Sequence, residues 1–163
     1  QLRPGIYSDI SNVSDLPSHC YLASPVRITL SGLGNHANEV RFTCSVCAGT
    51  TVVLGDQMLI EKISMQSLTV LGTLGKKKFQ MTECSIANSS IGHLQSGLQI
   101  QAEKIDVTIE GAELIGNSGG GIFFNSDALL WIRHTTVAKN FGVMGGGLHV
   151  IQGQAVLENS QIV

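Results

Sequence analysis

The sequence predicts an all-β fold, a right-handed parallel β-helix in which short strands coil into a solenoid. The chain of 163 residues has 19 glycines, but only 13% of its residues are charged and 5% are aromatic. Aliphatic residues therefore have to form the core, and they recur in pairs at a fixed offset. Buried strands joined by tight turns have this composition, because β-branched residues suit strands and glycine suits turns.

An internal repeat is the strongest of these observations. Pairs of aliphatic residues, five positions apart, follow one another at spacings of 18 to 28 residues: Ile63/Leu68, Met81/Ile86, Ile109/Leu114, Ile132/Val137 and Leu157/Ile162. Variable spacing suits a solenoid, because loops absorb differences in length. The repeat predicts about five to seven coils in a single β-helix segment, residues 1–163. Residues 1–58 would form less regular coils with a loop, and residues 59–163 the regular coils.

Two sequence positions between the members of each pair predict a sharp bend; residues that share one of these positions in successive coils form a column. The second position after the first aliphatic residue holds Glu83, Gly111, His134 and Asn159 in the last four pairs, and Ser64 directly follows Ile63 in the first pair. The third position, mostly small, holds Gln66, Cys84, Ala112, Thr135 and Ser160. Gly and Asn tolerate a positive φ. A bend there lets both aliphatic residues point inward, whereas a straight strand would point them to opposite faces.

Other features support coils rather than another β architecture. A second short strand is predicted after each glycine cluster, at Leu98–Ile100, Ile122–Phe124 and Leu148–Val150. Asn117 and Asn140 occupy the same later position in two coils, which predicts a side-chain ladder in a turn. A sandwich or jelly roll also has short strands and glycine turns, but it does not explain aligned aliphatic pairs.

Several stretches resemble the pectin-lyase-like β-helix superfamily. "PGIY" and "ITLSGLG" are similar to its opening rungs. "IGNSGGGIFF" and "AKNFGVMGGGLHV" look like repeats of polymorphic outer membrane proteins and of algal and protist surface proteins, although Gly121 and Gly147 stand where those repeats commonly have Ala. The resemblance implies secretion or cell-surface display, with adhesion or filament building. Other branches of the superfamily are polysaccharide lyases and hydrolases.

Charge and motifs exclude several classes of function. A net charge of −2 argues against a nucleic-acid binder, and the apolar stretches are too short to span a bilayer. No cofactor or metal motif is present in the sequence.

The nearest set of catalytic candidates is Asp106, Glu110, Glu113, Arg133 and His134. We expect these residues to be solvated polar positions on strands and turns.

Three of the four cysteines suggest a cross-link. In an oxidising compartment we expect a disulfide from Cys20 to Cys44 or Cys47. A zinc site formed by these three cysteines and His19 is the less favoured alternative. Cys84 lies in the small column and is expected to be a buried thiol.

Two sequons offer candidate N-glycosylation sites at Asn12 and Asn88. The low charge, the absence of clustered catalytic residues and the resemblance favour a non-catalytic structural or adhesive module of a large secreted or cell-surface protein, without a cofactor. Val163 falls in mid-coil, so the expected partners are the remainder of the same chain or other subunits stacked on the coil ends, and glycans. A polysaccharide lyase or glycoside hydrolase fragment is the alternative.

Overall fold

The computed structural model describes the backbone alone for strand residues 5–8, 20–24, 28–31, 40–43 and 50–54. It describes both backbone and side chains for residues 57–65, 67–72, 75–87, 96–143 and 145–163. The strands are β1 (Gly5–Ser8), β2 (Cys20–Ser24), β3 (Ile28–Ser31), β4 (Val40–Thr43), β5 (Thr50–Leu54), β6 (Gln57–Glu61), β7 (Ser64–Met65), β8 (Leu68–Gly72), β9 (Lys77–Thr82), β10 (Ser85–Ala87), β11 (Leu98–Gln101), β12 (Ile105–Glu110), β13 (Glu113–Ile115), β14 (Ile122–Arg133), β15 (Thr136–Ala138), β16 (Leu148–Glu158) and β17 (Gln161–Ile162).

Every strand pair among the described residues is parallel, and none of these residues is helical. One sheet has seven strands in the order β1-β4-β7-β10-β13-β15-β17. The other runs β2-β5-β8-β11-β14-β12-β9-β6-β3, with β16 paired to β14. The start of β14 pairs with β11 and its end with β12, so this second sheet has two parts.

The strands therefore form three faces. The first face contains β2, β5, β8, β11 and the starts of β14 and β16. The second contains β3, β6, β9, β12 and the ends of β14 and β16, and the third is the seven-stranded sheet. The chain is a parallel β-solenoid of about four turns, which confirms the predicted all-β fold. Right-handedness and a count of five to seven coils stay predictions.

Two columns of aliphatic residues form the centre of the core. Ile60, Met81, Ile109, Ile132 and Leu157 lie in register on the second face. Met65, Ile86, Leu114, Val137 and Ile162 lie in register on the third. The last four predicted pairs are thereby confirmed, including the inward direction of both members in the buried coils.

The first predicted pair, Ile63/Leu68, is wrong. Ile60 and Met65 hold that place in the register. Ile63 is fully buried inside the bend, at the position that Cys84 holds one coil later, and Leu68 starts β8 on the first face. Lys62 and Ile63 therefore hold the two bend columns, and Ser64 begins β7 instead, while Gln66 lies outside the described residues.

The strands predicted after the glycine clusters are confirmed, since β11, β14 and β16 begin at the predicted residues. β14 and β16 are longer than expected, at 12 and 11 residues, because each continues through the corner between the first and second faces. The neighbouring coils approach closely at the glycines. A Cβ on Gly121 would meet the Val137 side chain and lie 2.6 Å from the Gly147 carbonyl oxygen, so Ala would not fit without movement.

Alanine substitutions at Ile132 and Leu157 test how much the covering of a residue by the next coil contributes to stability. Ile132 is 0% exposed, whereas Leu157, its register partner, is 46% exposed. We expect Ile132→Ala to lower the free energy of unfolding by about 2–5 kcal/mol and Leu157→Ala by only about 1 kcal/mol. Urea denaturation of both variants measures the difference. Equal losses would contradict the stacked-column core.

Candidate functional site

The corner between the second and third faces is a two-residue bend that repeats along the solenoid. Its first residue has a positive φ in each described copy: 54° at Lys62, 50° at Glu83, 60° at Gly111, 46° at His134 and 49° at Asn159. The bend predicted at the last four of these residues is confirmed. The left-handed conformation costs a non-glycine residue about 1–2 kcal/mol. The folded protein retains this conformation because burial of the aliphatic residues on both sides outweighs its cost.

The small residue after the bend residue connects neighbouring coils in the last three copies of the bend. The Ala112 N–H donates to Thr135 Oγ1 at 3.3 Å, and the Thr135 N–H donates to Ser160 Oγ at 3.2 Å. Each hydroxyl also donates within its own coil, Thr135 to the Arg133 carbonyl at 2.7 Å and Ser160 to the Glu158 carbonyl at 2.9 Å. A hydroxyl on one coil thus satisfies a backbone N–H of the coil before it.

The two asparagines predicted as a ladder lie together on adjacent coils at the corner between the third and first faces. Asn140 Oδ1 accepts from the backbone N–H and from Nδ2 of Asn117, both at 2.9 Å. Asn117 Nδ2 also donates to the Ile86 carbonyl at 3.2 Å, and Asn140 Nδ2 to the Leu114 carbonyl at 2.9 Å. Each amide therefore joins its own coil to the preceding one, and Asn117 is fully buried.

The last coil leaves its inward columns partly uncovered. Leu148, Val150, Ala155 and Ile162 are half-buried, whereas the residues in register with them one coil earlier are buried. In the part of the chain with described side chains, the exposed large apolar residues all lie between 141 and 163: Phe141, Val143, Ile151, Val156, Leu157 and Val163. We call the surface of Leu148, Val150, Leu157, Ser160 and Ile162 the open coil end.

The acidic catalytic candidates do not converge. Asp106 and Glu110 lie in β12 on the second face, while Glu113 is exposed on the third face. Asp106 and Glu110 are four residues apart on one strand, which is about 13 Å. The carboxylates of inverting glycosidases are at most about 9.5 Å apart. The described residues also contain no group of three or more His, Cys, Asp or Glu side chains that could hold a metal ion.

Two of the catalytic candidates, Asp106 and Arg133, each lie close to a residue of opposite charge. Asp106 Oδ2 lies 3.0 Å from Lys76 Nζ. Arg133 Nε lies 3.1 Å from Glu158 Oε2, without hydrogen-bond geometry, and its guanidinium lies 3.8 Å from the centroid of the Trp131 ring. His134 is exposed at the bend. A shallow depression of about 290 Å³ on the second face lies between Asp106 and Trp131, at the small end of the range for ligand pockets.

The cysteine and sequon predictions fall mostly outside the described residues. Cys44, Cys47, Asn12, Asn88 and His19 are all outside, and only the backbone of Cys20, at the start of β2, is described. The predicted disulfide, zinc site and glycosylation therefore stay predictions.

Cys84 is a free, buried thiol, as the sequence predicted. Its Sγ donates to the carbonyls of Thr82 at 3.3 Å and Ile60 at 3.5 Å. Desolvation by burial raises the pKa of this thiol from about 9 to about 11, against smaller lowering effects of nearby backbone hydrogen bonds.

Sequence reasoning aligned Leu157 and Ser160 in the correct columns and placed Val163 in mid-coil. The contact between Trp131 and Arg133 was missed, although their spacing of two on one strand places both on the same face. No protein-family model matches the sequence, and neither curated proteins nor solved structures give a match. Among the described residues, no helix has the length and hydropathy needed to cross a membrane.

Asn117 tests the asparagine ladder. We expect Asn117→Ala to lower the free energy of unfolding by about 1–3 kcal/mol, because the buried Ile86 carbonyl loses a donor. Asn125→Ala, at a half-buried position of β14, serves as the control and should cost less. Chemical denaturation measures both, and equal effects would contradict a structural ladder.

Cys84 provides a pH-dependent test. Because its pKa is raised in the folded state, the folded protein retains this proton between about pH 9 and pH 11. The corresponding stability is complete below about pH 9 and is lost as the pH rises through about 11. Between about pH 8 and pH 11 we expect the wild type to lose about 2 kcal/mol more than Cys84→Ser. Parallel pH profiles of the two proteins would contradict this.

Proposed function

We propose that this chain is a non-catalytic structural or adhesive module of a secreted or cell-surface protein, and that its open coil end stacks against a further parallel β-coil. The observation that carries the proposal is the exposure of Leu157, which is 46% exposed where Ile132, in register one coil earlier, is completely covered. A surface that is core in every preceding described coil is suited to being covered.

Both apolar burial and backbone hydrogen bonding support stacking. Covering half of a Leu or Ile side chain is worth about 1 kcal/mol, and several such side chains lie on the open coil end. Among the described strands, β16 pairs only with β14 and β17 only with β15. The other edge of each strand can therefore accept a parallel strand, as in other cases of β-strand addition.

The resemblance to the pectin-lyase-like superfamily and to surface-protein repeats supports the location and role that we propose. In such a setting, stacked coils would extend a filament or matrix, and glycans are a further class of partner. Head-to-tail contacts between non-equivalent surfaces generate open assemblies, so the two ends of a solenoid suit filament growth.

Self-association tests the proposal. We expect the wild-type chain to form larger species as its concentration rises, because the open coil end is apolar. Leu157→Lys should weaken this association by at least about tenfold, since a charge would then have to be buried. Leu59→Lys on the outer second face is the matched control and should leave association unchanged. Sedimentation velocity measures all three proteins.

Two results would contradict the proposal. One is a wild-type chain that remains monomeric and stable at all concentrations. The other is cleavage of a polysaccharide by this chain that is abolished by Asp106→Asn or Arg133→Ala, which would favour the enzymatic alternative.

A further inference from the structure

The depression of about 290 Å³ on the outer side of the second face is formed by the interior of the sheet. Its lining residues come from β6, β9, β12 and the end of β14, which belong to successive coils. Each of these four strands is paired with a neighbour on both edges. The surface beneath the depression is therefore a complete piece of sheet, away from the open coil end.

The indole ring of Trp131 forms one wall of this depression. On one side of the ring lies the guanidinium of Arg133, 3.8 Å from the ring centroid, and Glu158 Oε2 lies 3.1 Å from Arg133 Nε. Leu129 precedes Trp131 by two residues on the same strand and lines the depression, whereas Arg133 does not line it. The side of the ring away from Arg133 therefore faces the depression.

Polar side chains continue from this wall across the sheet. Thr108 and Gln80 lie in register with Trp131 on the two preceding coils, and both line the depression. Neighbouring strands are about 4.8 Å apart, so a hydroxyl and an amide follow the ring at steps of this size. Both groups can donate and accept hydrogen bonds.

Asp106 and Lys78 add one charge of each sign. They lie in register with each other and line the same depression. The Asp106 carboxylate is held in place, because Oδ1 accepts from the Leu129 N–H at 3.5 Å and Oδ2 lies 3.0 Å from Lys76 Nζ. A carboxylate has about four acceptor positions, so it can accept further bonds. The lining residues together have no net charge, which suits an uncharged ligand.

We infer that this depression binds a neutral pyranose residue of a glycan, stacked on the free side of the Trp131 ring. The C–H groups on a pyranose face can pack against an aromatic ring. The hydroxyls around its edge can bond to Gln80, Thr108 and Asp106. A wholly apolar ligand would desolvate these polar groups without bonding to them. A charged ligand would be attracted by only one of Asp106 and Lys78 and repelled by the other.

The inference rests on the proposed adhesive role, and it assigns the glycan partner of that role to named residues. It describes binding rather than cleavage. Asp106 is the only carboxylate among the described residues that line the depression, whereas glycosidases flank the scissile bond with two.

Trp131 makes the site directly observable, because it is the only tryptophan of the chain. Its fluorescence is titrated with three neutral probes, cellotetraose, laminaritetraose and mannotetraose, and with the acidic probe tetragalacturonate. We expect at least one neutral probe to change the emission saturably, with a dissociation constant on the order of 1 mM, as suits one small site.

Calorimetric titration of variants with the same probe locates the site. We expect Trp131→Ala to weaken binding by at least about tenfold and Trp131→Phe, which keeps an aromatic face, by at most about threefold. Gln80→Ala should weaken binding by about threefold to tenfold. Gln80 is exposed, so this variant tests the site even where Trp131→Ala impairs folding. Thr82→Ala, on the outer side of the same strand but outside the depression, is the matched control and should bind normally.

Three results would overturn the inference. They are no binding of any neutral probe, equal affinity of the Gln80→Ala and Thr82→Ala variants, and preferred binding of tetragalacturonate that Lys78→Ala abolishes.

Failure of this inference and failure of the proposed function are distinguishable. Sedimentation velocity of Trp131→Ala without sugar measures self-association separately. Absence of sugar binding with self-association intact refutes the glycan site alone. Sugar binding by a chain that stays monomeric supports the glycan site and contradicts stacking. Shortening of a bound probe, detected by chromatography, would overturn both in favour of an enzyme.

Discussion

Hydrogen bonding between consecutive coils is the interaction on which the rest of this structure depends. A parallel strand cannot satisfy its backbone groups within its own coil, so each coil is completed by its neighbours. The side chains follow the same rule, since Thr135 and Ser160 each accept from the coil before them. Stability in such a stack is a sum of nearest-neighbour contributions.

The left-handed bend makes this stacking possible at its sharpest corner. It lets residues five apart, such as Ile109 and Leu114, both point into the core, and it turns one N–H out of the strand ladder. The cost is strain at Glu83 and His134, which are not glycines. That strain is offset by burial of the flanking aliphatic residues. The conformation is therefore a consequence of stacking rather than of local preference.

The sequence was sufficient for the fold because the last four aliphatic pairs and the left-handed column repeat together. It failed at the first pair for a definite reason. Ile60/Met65 and Ile63/Leu68 both have an offset of five, and Ile63 is aliphatic in a column that is small elsewhere. Only pairing between strands separates the two registers. The repeat alone does not distinguish an exposed residue from a buried one, because Leu157 and Ile132 occupy equivalent positions in it and differ only in what covers them.

An uncovered parallel edge also raises the question of what prevents indiscriminate pairing. Part of the answer lies in β16, whose register against β14 shifts around Asn125, where Ile151 is an extra residue beside Gln152. Bulges of this kind twist an edge strand and disfavour pairing with a flat, regular strand. Apolar burial alone would accept almost any hydrophobic partner. The aliphatic columns of the open coil end therefore supply attraction, while the irregular edge of β16 restricts which strands can pair with it.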